Sequence, residues 1–97
     1  MPHDVRFANS SIEKKIRKDL LKIPKEIQTK IIKDIESLRS NPRPFSFKKI
    51  KPPIALFQFV AQYRIRVGSY RILYDIDDKA QIVWIFAVRK RDEKTYK

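Results

Sequence analysis

Ninety-seven residues, 42% hydrophobic and including a single glycine, suffice for one packed domain over residues 1–97 and argue against a disordered or low-complexity chain. With no cysteine and one histidine, His3, a disulfide scaffold, a thiol nucleophile and Cys-ligated or multi-histidine metal sites are excluded, and neither metal nor cofactor is expected. Twenty-three Lys and Arg against eleven Asp and Glu give a net charge of +12, which points to a polyanionic partner; with no signal-peptide core and no apolar run of ~20 residues, a cytoplasmic location without a membrane partner is expected.

Residues 3–8 alternate polar and apolar side chains and read as a short first strand. Ser10 and Glu13 have the spacing of a capping box. Ile12, Ile16, Leu20 and Ile23 then mark one face of a helix. Pro24 suits a first helical turn and opens a second helix. Its apolar stripe is Ile27, Ile31, Ile35 and Leu38, widened by Ile32. Two amphipathic helices joined at Ile23–Pro24 predict a helical hairpin laid on an apolar surface.

Residues 41–53 hold four of the six prolines and read as a loop. Phe45 and Phe47 alternate there with Ser46 and Lys48, an interleaving that suits stacking on single-stranded RNA. Anchorage of a long loop to the core by Phe45, Phe47 and Ile50 is the favoured reading.

From Leu56 the period changes to two. Phe57, Phe59, Ala61, Tyr63, Ile65 and Val67 fall on one face of a strand, and Gln58, Val60, Gln62, Arg64 and Arg66 on the other. Gly68–Ser69 suits a type II′ hairpin turn. Tyr70, Ile72, Tyr74 and Ile76 alternate with Arg71, Leu73 and Asp75 in the next strand, and residues 77–79 turn again. Residues 82–88 are apolar throughout and read as a central strand buried on both faces. The fold class expected is α+β: a strand, a two-helix hairpin, then three antiparallel strands, with the helices on one face of a curved sheet.

A two-residue loop at Gly68–Ser69 sets Arg66 opposite Arg71 and Arg64 opposite Leu73, so Arg64, Arg66 and Arg71 share a face. Like charges this close repel, and a shared phosphate relieves the repulsion. The planar guanidinium fork grips phosphate oxygens bidentately. Arg89 and Arg91, at the end of the last strand, are placed to join them.

The run from Tyr63 to Tyr74, Tyr-Arg-Ile-Arg-Val-Gly-Ser-Tyr-Arg-Ile-Leu-Tyr, resembles the hairpin signature of the RelE/ParE toxin superfamily. The two-helix start, Lys48-Lys49-Ile50-Lys51 and a basic C-terminal strand followed by a tyrosine agree, so the resemblance covers nearly the whole chain. It implies a RelE-like fold and a toxin of a type II toxin–antitoxin pair, with a cognate antitoxin as partner. RelE-type members cut mRNA in the ribosomal A site, and ParE-type members poison DNA gyrase. The first activity is the one expected, with the ribosome and mRNA as partners.

By resemblance, Arg64 and Arg66 fall where the best-known RelE enzymes carry two functional lysines, and Arg71 falls on a phosphate-binding arginine. Arg91 falls on the catalytic arginine of the last strand, with Lys90 the alternative one residue away. Tyr96 falls on the C-terminal tyrosine. Lys48, Lys49, Lys51, Arg89, Lys90 and Lys94 are the accompanying candidates for RNA binding. Deprotonating an arginine at pH 7 costs about 7 kcal/mol and a tyrosine about 4 kcal/mol. Arg64 and Arg66 are therefore clamps for the transition state rather than bases, and Tyr96 is the cheaper proton acceptor or orients the substrate. Asp92 and Glu93 read as part of a solvated charged tail.

Overall fold

The computed structural model describes residues 3–44, 47–56 and 59–90. The elements run β1 (Asp4–Phe7), α1 (Ser10–Leu20), α2 (Lys25–Ser37), β2 (Lys48–Leu56), β3 (Phe59–Val67), β4 (Tyr70–Asp77) and β5 (Ile82–Lys90). They form a five-stranded mixed sheet in the order β1-β5-β4-β3-β2, where β1 runs parallel to β5 and every other pair is antiparallel. Two helices on one face of this sheet give the α+β architecture expected.

Asn9, not Ser10, caps α1. Its side-chain oxygen accepts the Ile12 N–H at 2.8 Å, while Ser10 is already the first helical residue. The amide N–H of Ala8 donates to the Ile85 carbonyl at 3.2 Å, so the strand ends one residue earlier and Asn9 takes the cap. Glu13 pairs instead with Arg17, one turn on, at 2.7 Å. Pro24 precedes α2, and its carbonyl accepts from Ile27 at 3.0 Å and Gln28 at 2.9 Å. The Gln28 side chain donates to the Leu20 carbonyl at 2.6 Å, closing the end of α1 and tying the two helices together.

Ile12, Ile16, Ile23, Ile31, Ile35 and Leu38 are buried against Ala61, Ile65, Val67, Ile72, Tyr74, Val83, Ile85 and Val88 of the sheet. Full burial of each such side chain is worth about 1.5–3 kcal/mol, so this interface is the main stabilising layer. Ile32 does not widen the stripe; it is 43% exposed. Strand β5 lies between β1 and β4, with buried side chains on both faces, which accounts for its unbroken apolar run.

Residues 48–53 are not loop. They form most of β2, so four antiparallel strands follow the helices rather than three. Proline lacks the ladder donor, but β2 is an edge strand. Pro52 and Pro53 fall inside its register shift between Lys49 and Ile54. Of the three expected anchors, Phe47 just before β2 and Ile50 within it pack on the core. Phe47 lies 5.1 Å from Tyr63, whose ring is 6.0 Å from that of Tyr74. The Tyr74 hydroxyl donates to the Pro42 carbonyl at 2.8 Å. Phe45 and Phe57 lie outside the described residues. Among the described residues no helix is long and apolar enough to cross a membrane.

Candidate nucleic-acid interface

Gly68 has φ +61, and among the described non-glycine residues only Gln81 shares a positive φ. The left-handed first position followed by an ordinary Ser69 fits the type II′ turn, which glycine enters without a Cβ clash. That turn sets the register. Val67 pairs with Tyr70, Arg66 with Arg71, and Arg64 with Leu73.

Register across the next strand extends the pattern: Arg71 pairs with Arg89 of β5. Arg66, Arg71 and Arg89 thus form one row across three adjacent strands, on the sheet face away from the helices. The row spans about 10 Å at the usual strand spacing. Arg64 stands two residues from Arg66 on β3 and pairs with Lys48 of β2 on its other side. Like charges on directly opposed strand positions destabilise a sheet. A bound phosphate, with oxygens for several bidentate forks, converts this repulsion into attraction.

A cavity of about 500 Å³ beside the row is lined by Lys49, Lys51, Pro52, Pro53, Arg64 and Arg71, together with Ile50 and Ile54. Lys49 and Lys51 therefore border the arginines through the register shift of β2. Lys90 does not join them. It pairs with Tyr70, which places it on the opposite sheet face from Arg89. Arg91, Lys94 and Tyr96 lie outside the described residues, as do Asp92 and Glu93. Lys48 comes to lie opposite Arg64 only because residues 48–53 form strand rather than loop. The alternation in Lys48-Lys49-Ile50-Lys51 was the available strand signal.

Beyond Leu73 on the same face, Asp75 pairs with Trp84. Burial pushes the Asp75 carboxyl above the ordinary carboxylate range, against the Ile76 N–H and the Gln62 side chain, whose hydrogen bonds favour the ionised form. On the core side, burial pushes the Tyr74 hydroxyl well above its usual range, so it remains a proton donor. Among the described residues, no group of three acidic or histidine side chains converges as metal ligands do.

A family model described as the ParE toxin of the type II toxin–antitoxin system parDE matches residues 11–95. A curated relative from Methanocaldococcus jannaschii, named as a RelE1 toxin, is 32% identical over 87 residues, covering 87% of this chain and 90% of its own. The archaeal RelE–RelB complex from Pyrococcus horikoshii OT3 superposes with a TM-score of 0.71 at 23% identity, covering 96% of this chain and 99% of that one. The toxin–antitoxin complex RelBE2 from Mycobacterium tuberculosis gives 0.65 at 28% identity, covering 94% and 100%. A mutant of the E. coli toxin RelE in the free state gives 0.59 at 17% identity, covering 98% and 90%. The first and third of these structures speak for the fold alone.

Proposed function

Because the chain belongs to the RelE/ParE superfamily of toxins from type II toxin–antitoxin systems, we propose that it is a ribosome-dependent endoribonuclease. In this reading residues 1–97 act as one toxin domain in the cytoplasm, cleaving mRNA in the ribosomal A site and so inhibiting translation. The observation that supports it is the arginine row. Arg66, Arg71 and Arg89 are register partners on one face, with Arg64 and Lys48 beside them.

Cleavage by the neighbouring 2′-hydroxyl needs a proton removed, charge on the phosphorane stabilised and a proton given to the leaving 5′-oxygen. Arg64, Arg66 and Arg71 serve as the charge clamp, and loss of one such donor costs about 3–4 kcal/mol. Arg91 and Tyr96 complete the set, Tyr96 as proton acceptor or as orienting group. Lys48, Lys49, Lys51, Arg89 and Lys94 hold the flanking backbone, while Lys90 faces the other side of the sheet. A clamp of arginines with a weak base relies on the ribosome to align the 2′-hydroxyl, because alignment alone supplies a large share of the barrier reduction.

The antitoxin follows from the same membership. The similar RelBE2 chain of Mycobacterium tuberculosis occurs in a toxin–antitoxin complex, and we assign this chain a cognate antitoxin that is acidic or presents an amphipathic helix, matching its charge of +12. The second reading is a ParE-type toxin that binds DNA gyrase. It is favoured by the ParE description of the matching model and by arginines at both lysine positions.

Primer extension on transcripts from cells expressing the wild type and Arg71→Ala tests the choice. Codon-phased 5′ ends that vanish in the variant support the nuclease. Growth arrest with intact transcripts and inhibited gyrase supports the second reading.

A further inference from the structure

Ala8, Phe59, Val60, Asp75, Trp84 and Phe86 line a separate cavity of about 290 Å³. It opens on the same sheet face as the arginine row, because Asp75 follows Arg71 by four residues on the regular strand β4 and pairs with Trp84 as Arg71 pairs with Arg89. Four residues of strand are about 13 Å, a distance that a short single strand bridges from a phosphate held at Arg71.

The walls are aromatic. Phe59 and Phe86 stack at 5.4 Å with their planes 24° apart, and Trp84 is partly buried beside them. One lining residue carries a carboxyl. Asp75 Oδ1 accepts the Ile76 N–H at 2.9 Å, and the Gln62 side chain is a further hydrogen-bond partner. An ionised carboxyl has about four acceptor positions, so capacity remains for donors on a ligand. A cavity of this volume is small for a peptide helix about 10 Å across. It sits at the low end of sites for small planar molecules.

We propose that this cavity is a nucleobase subsite: it takes one base of the RNA strand whose phosphate lies on the Arg66–Arg71–Arg89 row, stacks it on the aromatic walls, and reads N–H donors on its edge with Asp75. Guanine, which offers a carboxylate two adjacent N–H donors, binds best. The inference rests on the reading of the arginine row as a phosphate site and adds to it a residue that selects sequence.

Trp84 is the only tryptophan in the chain, so its fluorescence reports the cavity directly. The free protein is titrated with uridine hexanucleotides carrying one guanosine, adenosine or cytidine, and with an abasic hexamer of the same charge. Anisotropy of a labelled end gives total binding. We expect base-containing hexamers to quench Trp84 and to bind about tenfold or more tighter than the abasic hexamer. The guanosine hexamer should bind best, and Asp75→Asn should erase that preference when each affinity is taken relative to the abasic hexamer on the same variant. Arg71→Ala should weaken every hexamer alike. Equal affinity for abasic and base-containing hexamers, with Trp84 unchanged, overturns the subsite and leaves the phosphate row standing. Failure of every hexamer to bind removes the row and the subsite together. Neither readout needs ribosomes, so a failure of mRNA cleavage is seen separately.

Discussion

Arg66 and Arg71 are direct cross-strand partners in the β3–β4 hairpin, and Arg71 is in turn the partner of Arg89. Opposed like charges destabilise a sheet, and the register nonetheless sets these side chains on one face. The row survives because the register is set elsewhere, by Gly68 at the turn and by Ile65, Val67 and Ile72 on the buried face. A one-residue slip would turn those side chains to solvent.

Removing one charge from the row should therefore stabilise the fold. Arg66 is exposed, so Arg66→Gln costs little packing and relieves repulsion, for a gain of a few tenths to about 1 kcal/mol. The gain should be largest near 0.01 M salt, where the screening length is about 30 Å, and shrink at 0.15 M, where it is about 8 Å. Urea unfolding at both salt concentrations checks this. A variant no more stable than wild type at low salt would show that the guanidinium groups do not repel.

Arg71, the middle member of the row, should matter most for the ligand. Arg71→Ala should lower the affinity for single-stranded RNA and reduce the dependence of log K on log salt by about 0.7, the loss of one phosphate contact on a single strand. In a programmed-ribosome assay its cleavage rate should fall by about 10²–10³. An unchanged salt slope would place the phosphates elsewhere.

Tyr74 separates structure from function. Its ring is buried on the core side of the sheet and its hydroxyl donates to the Pro42 carbonyl. Tyr74→Phe leaves that carbonyl without its donor and should cost about 1–3 kcal/mol. RNA affinity should stay at the wild-type value, since no member of the arginine row changes. Equilibrium unfolding and anisotropy on the same preparation give both numbers.

The hairpin and its arginines were legible because strict alternation on both sides of one glycine leaves a single register for Arg66 and Arg71. The helices were legible from Ile12, Ile16, Ile31 and Ile35, which repeat at helical spacing. Strand β2 was not, because Pro52 and Pro53 argue against a ladder, and only the sheet order shows that they sit on an edge, within a register shift. Missing β2 also concealed Lys48 opposite Arg64. Asn9 and Ser10 are equally good capping types in sequence, and the choice between them is made by the bond from Ala8 to Ile85. Trp84 and Asp75 read as ordinary strand residues. Their meeting with Phe59 and Phe86 depends on the register shift in β5 and on the path of β3.

At Gly68 the cost of a side chain should be purely conformational. A Cβ built there meets nothing within 4 Å, yet φ is +61. Gly68→Ala should therefore destabilise by about 1–2 kcal/mol, the cost of left-handed backbone in an L-residue. Gly68→Asn, which tolerates that region better, should recover part of it. A loss well above that range in chemical denaturation would reveal a steric contact at the turn.

Two aspartates should move stability in opposite directions with pH. Arg43 donates to the exposed Asp78 at 2.7 Å and holds its carboxyl below the ordinary range, with His3 adding to the same effect. A depressed folded pKa contributes stability above the unfolded value of about 3.9, and that contribution is lost as pH falls through the folded value. Asp78→Asn should thus be less stable than wild type at pH 7, with the gap closing below about pH 4. Asp75 has the opposite sign. Burial raises its folded pKa, so its ionised form opposes folding at neutral pH, and wild-type stability recovers as pH falls through that raised value toward about 4. Asp75→Asn keeps an acceptor for the Ile76 N–H and should be more stable than wild type at pH 7, with the advantage shrinking toward pH 4. Thermal unfolding of both variants and wild type from pH 7 to pH 3 reads the two signs in one series. The same sign for both would mean that desolvation does not control Asp75.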